Sequence, residues 1–284
     1  MLKIAVQKSG RLLEESLSIL RECGIYVPFG DGRLKTEASG FPLEIYFLRN
    51  SDIPSYLRDG VVDLAILGTN MLAEYGEGIS SILPLGFSRC RLSIATLREN
   101  NLQSIGDLNG KRIATSYPVS LDKFLKENNI NAQIHEISGS VEIAPTIGLA
   151  DAICDLVSSG STLMKNGLSE MEVIFQSEAA LIGRSNYSAE SNAGLIEKLV
   201  FRLKSVLAAN RSKYILLNAP NSSIPNICRI LPGMKSPTIL PLAQSGWSSL
   251  HSVIDEQQFW DIIEELKLAG AEGILIIPIE KMIL

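Results

Sequence analysis

Short apolar runs alternate with amphipathic stretches along most of the chain. Residues 2–6, 43–48 and 64–67 have the length and branched content of buried strands. Between them, 12–23 spaces its apolar positions along one helical face and stops at Gly24. Residues 53–59 read as a short helix closed by Gly60, and 70–75 as another. A strand–helix–strand rhythm of this kind predicts a mostly parallel sheet with helices on its faces.

The pattern restarts at 90–95, a fresh strand. Residues 105–115 give a short helix, a turn and a strand; 121–128 is a helix and 133–136 a strand. A helix is expected to begin in 140–149, and 152–157 is again a buried strand. The long helical pattern at 193–210 is expected to return the chain to where it began. The predicted organisation is one lobe from 1–86 and 185–210 and a second from 87–184. Two crossings between lobes leave a cleft, a common place for ligands. Residues 211–284 differ. Strands at 213–218, 238–242, 247–254 and 273–277 enclose helices at 222–231 and 257–268, with Asp255 as N-cap and Gly270 as stop. The order β-α-β-β-α-β is that of a small ferredoxin-like domain.

Composition narrows the function. With 46% hydrophobic and 20% charged residues over 284 positions, the chain can bury more than one core. A net charge of −5 argues against a general nucleic-acid binder, which needs a basic face, but leaves room for a local cationic pocket. No apolar run approaches the roughly 20 residues that span a bilayer. The start, MLKIAVQKSG, enters a strand with no signal-peptide core. Cys23, Cys90, Cys154 and Cys228 form no C-x-x-C pair, so zinc is not expected and reduced thiols in the cytoplasm are. His135 and His251 are each expected to be a surface or packed residue rather than a catalytic base.

The densest chemistry follows strand 152–157. Ser158, Ser159, Gly160, Ser161 and Thr162 make a small, hydroxyl-rich turn before a helix, where N–H groups and hydroxyls converge on one phosphate. Asp155, just upstream, is placed to accept hydrogen bonds from sugar hydroxyls. Together they suggest a phosphorylated ribose; the loop alone reads equally as a Ser-rich N-cap without ligand. After the first strand, Lys8, Gly10 and Arg11 combine close backbone approach with two cations, a place for a phosphate chain or simply a solvated loop. Arg49 ends another strand and either reaches the same crevice or pairs with Asp52, itself the expected cap of the helix at 53–59. Tyr117 either stacks on a base or packs at a turn. Glu142 faces the crevice, although the first turn of a helix explains a carboxylate by itself.

The segments QKSGRL (7–12), DLAILG (63–68), CRLSIA (90–95), ATSYP (114–118) and the whole of 139–163 resemble the ATP phosphoribosyltransferase family, and the likeness runs the length of the chain. SPTILPL (236–242) and the end Pro278-Ile279-Glu280-Lys281-Met282 resemble the regulatory domain of the family's long form. The resemblance implies a two-lobed core like that of periplasmic binding proteins plus an ACT-like third domain. It implies transfer of phosphoribosyl from phosphoribosyl diphosphate to adenine N1 of ATP, with Mg²⁺ and inversion at C1. It gives Lys8, Arg11, Arg49, Glu142 and Asp155 the catalytic work. Gly10, Tyr117, Ser158, Ser159, Gly160, Ser161 and Thr162 then bind substrate. It places feedback histidine near Asn218, Ser236, Thr238 and Gly273, and implies dimers assembling to hexamers with no separate regulatory subunit. Two other readings stand beside it: a solute-binding or sensing protein with the same lobes, and an enzyme fold kept as a regulatory subunit.

Overall fold

The computed structural model describes residues 1–284 apart from 31, 101, 103, 188–191, 232, 234, 235 and 284. The chain divides into two compact units, Met1–Ile196 and Glu197–Leu284.

In the first unit, β1 (Leu2–Gln7), α1 (Arg11–Glu22), β2 (Lys35–Glu37), β3 (Leu43–Leu48), α2 (Ile53–Arg58), β4 (Leu64–Gly68), α3 (Asn70–Tyr75) and β5 (Ile79–Pro84) come first. A second set follows: β6 (Cys90–Leu97), β7 (Arg112–Thr115), α4 (Pro118–Glu127), β8 (Gln133–Glu136), β9 (Ala152–Val157), α5 (Ser161–Lys165) and β10 (Leu168–Ser177). Then β11 (Ala179–Arg184) returns to the first sheet, whose strand order is β2-β3-β1-β4-β11-β5; the second sheet is β10-β6-β9-β7-β8. In the first sheet β1 is parallel to β3 and β4, and in the second β7 is parallel to β8 and β9. β1 and β4 are apolar on both faces because helices cover both, so they read as runs rather than alternations. On α1 the buried positions are Leu13, Ser16, Ile19 and Leu20, one stripe at helical spacing.

The structure corrects the expected boundaries. Residues 179–184 were expected in the second lobe, but β11 lies between β4 and β5, with Leu181 opposite both Ile66 and Leu83. The second crossing therefore falls at Glu178. There the crossing segments bond to each other: Leu85 N donates to Ala179 O and Ala179 N to Phe87 O, each at 2.9 Å. Likewise the unit boundary lies inside α6 (Ala193–Arg211) rather than after residue 210. Residues 188–191, in the expected return to the first lobe, lie outside the described residues. The expected helix in 140–149 is a single 3-10 turn, Val141–Ile143, because Pro145 and Gly148 follow too closely for more. Asp52 stands at the N-cap of α2, but its side chain makes no capping hydrogen bond.

The second unit contains β12 (Ser212–Pro220), α7 (Ile224–Ile230), β13 (Thr238–Pro241), β14 (Trp247–Asp255), α8 (Glu256–Leu268) and β15 (Glu272–Pro278). The sheet order β13-β14-β12-β15 is the ferredoxin-like arrangement. Ile215, Leu217 and Ala219 alternate onto the helix-covered face, packed with Ile227, Leu250 and Leu266. Asp255 caps α8, accepting from Gln257 N at 2.8 Å. No helix among the described residues is long and apolar enough to cross a membrane.

Candidate active site

The parallel strands of both lobes end in turns that open helices, and in such sheets the crevice beyond the carboxyl ends is where ligands bind. In the first lobe, register pairs Gln7 with Leu48, and Lys8 N donates to Leu48 O at 2.9 Å. Lys8 and Arg49 thus leave adjacent strand ends side by side. Both are exposed, and neither side chain has an ion-pair partner among the described residues. Arg49 does not pair with Asp52. Gly10 holds φ +89° at the N-cap of α1, a conformation other residues adopt only with strain.

In the second lobe, β9 delivers Asp155 and then the turn Ser158-Ser159-Gly160. Gly160 sits at φ +77°, ψ 1°, which lets the chain double back into α5. Ser159 Oγ is 3.1 Å from Ser161 Oγ. Ser158, Ser159, Ser161 and Thr162 are exposed. The helix that follows has only five residues, so the loop's own N–H groups and hydroxyls matter more than a helix dipole. Arg11 crosses from the first lobe: its Nη1 donates to Ser158 Oγ at 3.2 Å.

Leu156 N donates to Asp155 Oδ1 at 2.7 Å. Burial, opposed by that amide and reinforced by Glu142, pushes the Asp155 carboxyl up to about 6. Two sequence-predicted carboxylates are therefore electrostatic neighbours. Tyr117 begins α4 and packs against the apolar clusters of both lobes, one containing Leu67 and Met71, the other Leu121 and Cys154. Burial, then the charge of Asp155, drives its phenol well above the usual tyrosine range. At neutral pH its phenol keeps its proton, packed between the two clusters.

Several residues escaped the sequence reading. Glu74, on α3 of the first lobe, is only 5% exposed. Its carboxylate accepts from Val119 N at 2.8 Å, Ser120 N at 2.9 Å and Ser120 Oγ at 2.7 Å, capping α4 of the second lobe. Nothing in the local string LAEY signals this, because the partner lies 45 residues on. Asn70 accepts at Oδ1 from Ser177 Oγ at 3.0 Å, while its buried Nδ2 has no partner among the described residues. Arg91 and Glu170 form a fork beneath the serine loop.

In the second unit, Gly273 lies beside Asn218; a Cβ there would stand 3.4 Å from Asn218 Nδ2. Thr238 opposes His251 on β14, so β14 separates it and the preceding Ser236 from Asn218 on β12. One copy of the chain brings these four residues together as two pairs, not as one cluster.

A hydroxyl-lined loop and two carboxylates on one lobe, with lysine and arginine on the other, are groups of the kind that an enzyme of phosphorylated sugars and nucleotides needs. Comparison with known proteins makes this specific. The family model for ATP phosphoribosyltransferase matches residues 49–205, and that for the HisG C-terminal domain matches 209–281. The ATP phosphoribosyltransferase of Cytophaga hutchinsonii is 55% identical over 282 residues, covering 99% of this chain and 98% of that protein. That of Bacteroides thetaiotaomicron is 53% identical over 283 residues, covering both chains fully. Among solved structures, a chain of the ATP phosphoribosyl transferase (HisG:HisZ) complex from Thermotoga maritima superposes with a TM-score of 0.62 at 27% identity. It covers 73% of this chain and 99% of that one. Tv2483 bound to L-arginine, at 17% identity and TM-score 0.50, covers 72% of this chain and 84% of its own and shares the fold alone. The chain belongs to the ATP phosphoribosyltransferase family, which performs the first step of histidine biosynthesis. It has the two-lobed core of periplasmic binding proteins and the C-terminal domain of the long form.

Proposed function

We propose that the crevice binds phosphoribosyl diphosphate through the second lobe and joins its C1 to adenine N1 of ATP. The observation that carries this reading is the order of groups at the end of β9. A carboxylate, Asp155, stands directly before a hydroxyl-rich loop that Arg11 of the opposite lobe touches. Ser158, Ser159, Gly160, Ser161 and Thr162 bind the 5′-phosphate. Asp155 accepts from ribose hydroxyls, with Glu142 beside it, and Tyr117 packs against the adenine.

The C1–O bond breaks and its electron pair leaves with the diphosphate. N1 attacks the opposite face of C1, inverting the centre. Positive charge grows on the ribose ring and negative charge on the leaving group. Asp155 lies on the first side of that separation, and Lys8, Gly10, Arg11 and Arg49 on the second. Positioning and preorganised charge supply the rate, with no nucleophilic side chain.

Mg²⁺ fits this donor set as an ion carried by diphosphate. The hard carboxylates of Asp155 and Glu142 lie close enough to feel each other's charge, while no group of three or more ligand-type residues that could hold a metal occurs among the described residues. When bound, the ion neutralises charge on the leaving group. Histidine binds the second unit near Asn218, Ser236, Thr238 and Gly273. Asn218 brings no charge to the amino group, where a carboxylate would. The pairs separated in one chain are completed in a homo-oligomer, a dimer building to a hexamer. Coupling to catalysis is on the order of 1–3 kcal/mol. With its own C-terminal domain the chain needs no separate regulatory subunit, and its four free cysteines suit the cytoplasm.

The test is a coupled assay of diphosphate release with ATP, phosphoribosyl diphosphate and Mg²⁺. Release that needs both substrates and falls on adding histidine is expected. A folded protein that binds neither substrate, or one that takes up only an amino acid, would contradict the reading.

A further inference from the structure

Arg91, near the start of β6, uses all three arms of its guanidinium at the base of the serine loop. Its Nε and Nη2 donate to the two carboxylate oxygens of Glu170 on β10, each at 2.5 Å, and Ser93 Oγ donates to the same carboxylate at 2.6 Å. A two-pronged contact of this kind fixes the plane of the guanidinium. The remaining arm, Nη1, donates to the backbone carbonyl of Ser158 at 3.1 Å. Both side chains are mostly covered, at 28% and 24% exposure. The Glu170 carboxyl is held below its usual range by the Arg91 hydrogen bond, against the opposing effect of burial.

A trans peptide sets the direction of the next group. The carbonyl of Ser158 and the N–H of Ser159 belong to one planar unit and point opposite ways. Tying that carbonyl down toward β6 turns the Ser159 N–H outward. The N–H groups of Ser159 and Gly160 donate to nothing among the described residues, so both are available to a ligand. Ser158 is thus held twice: by Arg91 through its carbonyl and by Arg11 through its hydroxyl. The two arginines differ in kind. Glu170 neutralises Arg91, so Arg91 offers the loop geometry rather than net charge, whereas Arg11 has one ion-pair partner among the described residues, Glu15 at 3.9 Å.

We infer that Arg91, oriented by Glu170, is a positioning residue that aims the loop's N–H groups at the 5′-phosphate. This rests on the functional reading above and adds the device that shapes its phosphate site. The distinguishing consequence concerns Glu170. If Arg91 acted on phosphate by its charge, freeing it from Glu170 would strengthen binding. If it acts by geometry, loosening Glu170 weakens binding.

The test is calorimetry of ribose 5-phosphate and of ATP on the full-length protein and on R91M, R91K and E170Q. Expected is a loss of about tenfold or more in ribose 5-phosphate affinity for R91M and R91K, the size of one strong hydrogen bond. E170Q falls in the same direction, ATP affinity stays within about twofold, and KM for phosphoribosyl diphosphate rises more than kcat falls. Combining R91M with E170Q adds nothing beyond R91M. Should R91M fail to fold, E170Q decides. Unchanged affinity in R91M, or tighter binding in E170Q, overturns the inference alone. Failure of the unsubstituted protein to bind ribose 5-phosphate overturns the functional reading and this inference with it.

Discussion

Replacing Asp155 with asparagine lowers turnover by about a thousandfold, the scale of removing one preorganised electrostatic contact to a transition state. The same substitution makes the folded protein more stable at neutral pH. Both effects have one cause. Folding takes the carboxylate out of water and sets it near Glu142, which raises its proton affinity from an ordinary 3.8 to about 6. A raised carboxyl stabilises the fold fully below its unfolded value, and that contribution is lost as pH rises through the folded value. The shift sets a ceiling of about 3 kcal/mol. Because solvent still reaches the side chain, about 1–2 kcal/mol is expected at pH 8. Melting curves from pH 4 to 8 check this. D155N and the unsubstituted protein converge below about pH 4; D155N gains from there up to about pH 6 and keeps the advantage above it. A D155N protein that is less stable at pH 8 would show that Asp155 has a structural partner the account omits. The ionised carboxylate is costly to the fold and, in the proposed function, useful to the reaction, a trade often found at active sites.

Truncating Glu74 to alanine acts on the fold first. Two backbone N–H groups and one hydroxyl lose their acceptor in a site closed to water. The loss is about 3 kcal/mol or more, since each buried donor left unpaired carries its own desolvation penalty. Glutamine keeps an oxygen for the N–H groups but brings an NH₂ toward other donors, so E74Q loses about 1–2 kcal/mol. Activity falls as well. The helix that Glu74 caps begins next to Tyr117, and the contact joins α3 of one lobe to α4 of the other. Urea unfolding followed by a probe in the first unit reads the stability, and the ranking should be unsubstituted, then E74Q, then E74A. Equal midpoints for all three would mean that the cap carries no net weight.

What the sequence reveals and what it hides divide along physical lines. Buried parallel strands such as β1, β4 and β9 are legible because both faces are apolar. β2, β5, β10 and β11 are not, since β2, β5 and β10 are edge strands, β11 lies next to one, and β10 also mixes charge with apolar residues over LSEMEVIFQS. β11 is apolar enough, but its sheet depends on a pairing with β4 more than a hundred residues earlier. At the site, Lys8, Arg49, Asp155 and the serine loop are legible because they sit at strand ends beside glycine and hydroxyl residues. Glu74, Arg91 and Glu170 lie within elements, and their meaning comes only from partners across the fold. The shortness of α5 is also a matter of context: Asn166 and Gly167 end it after little more than one turn.

The most direct measurement is a crystal structure with phosphoribosyl diphosphate bound. The account predicts 5′-phosphate oxygens on the N–H groups of Ser159 and Gly160 and the hydroxyls around them. Ribose hydroxyls should meet Asp155, and the diphosphate should turn toward Lys8 and Arg49. A complex in which residues 158–162 touch no ligand and the 5′-phosphate lies elsewhere would contradict it.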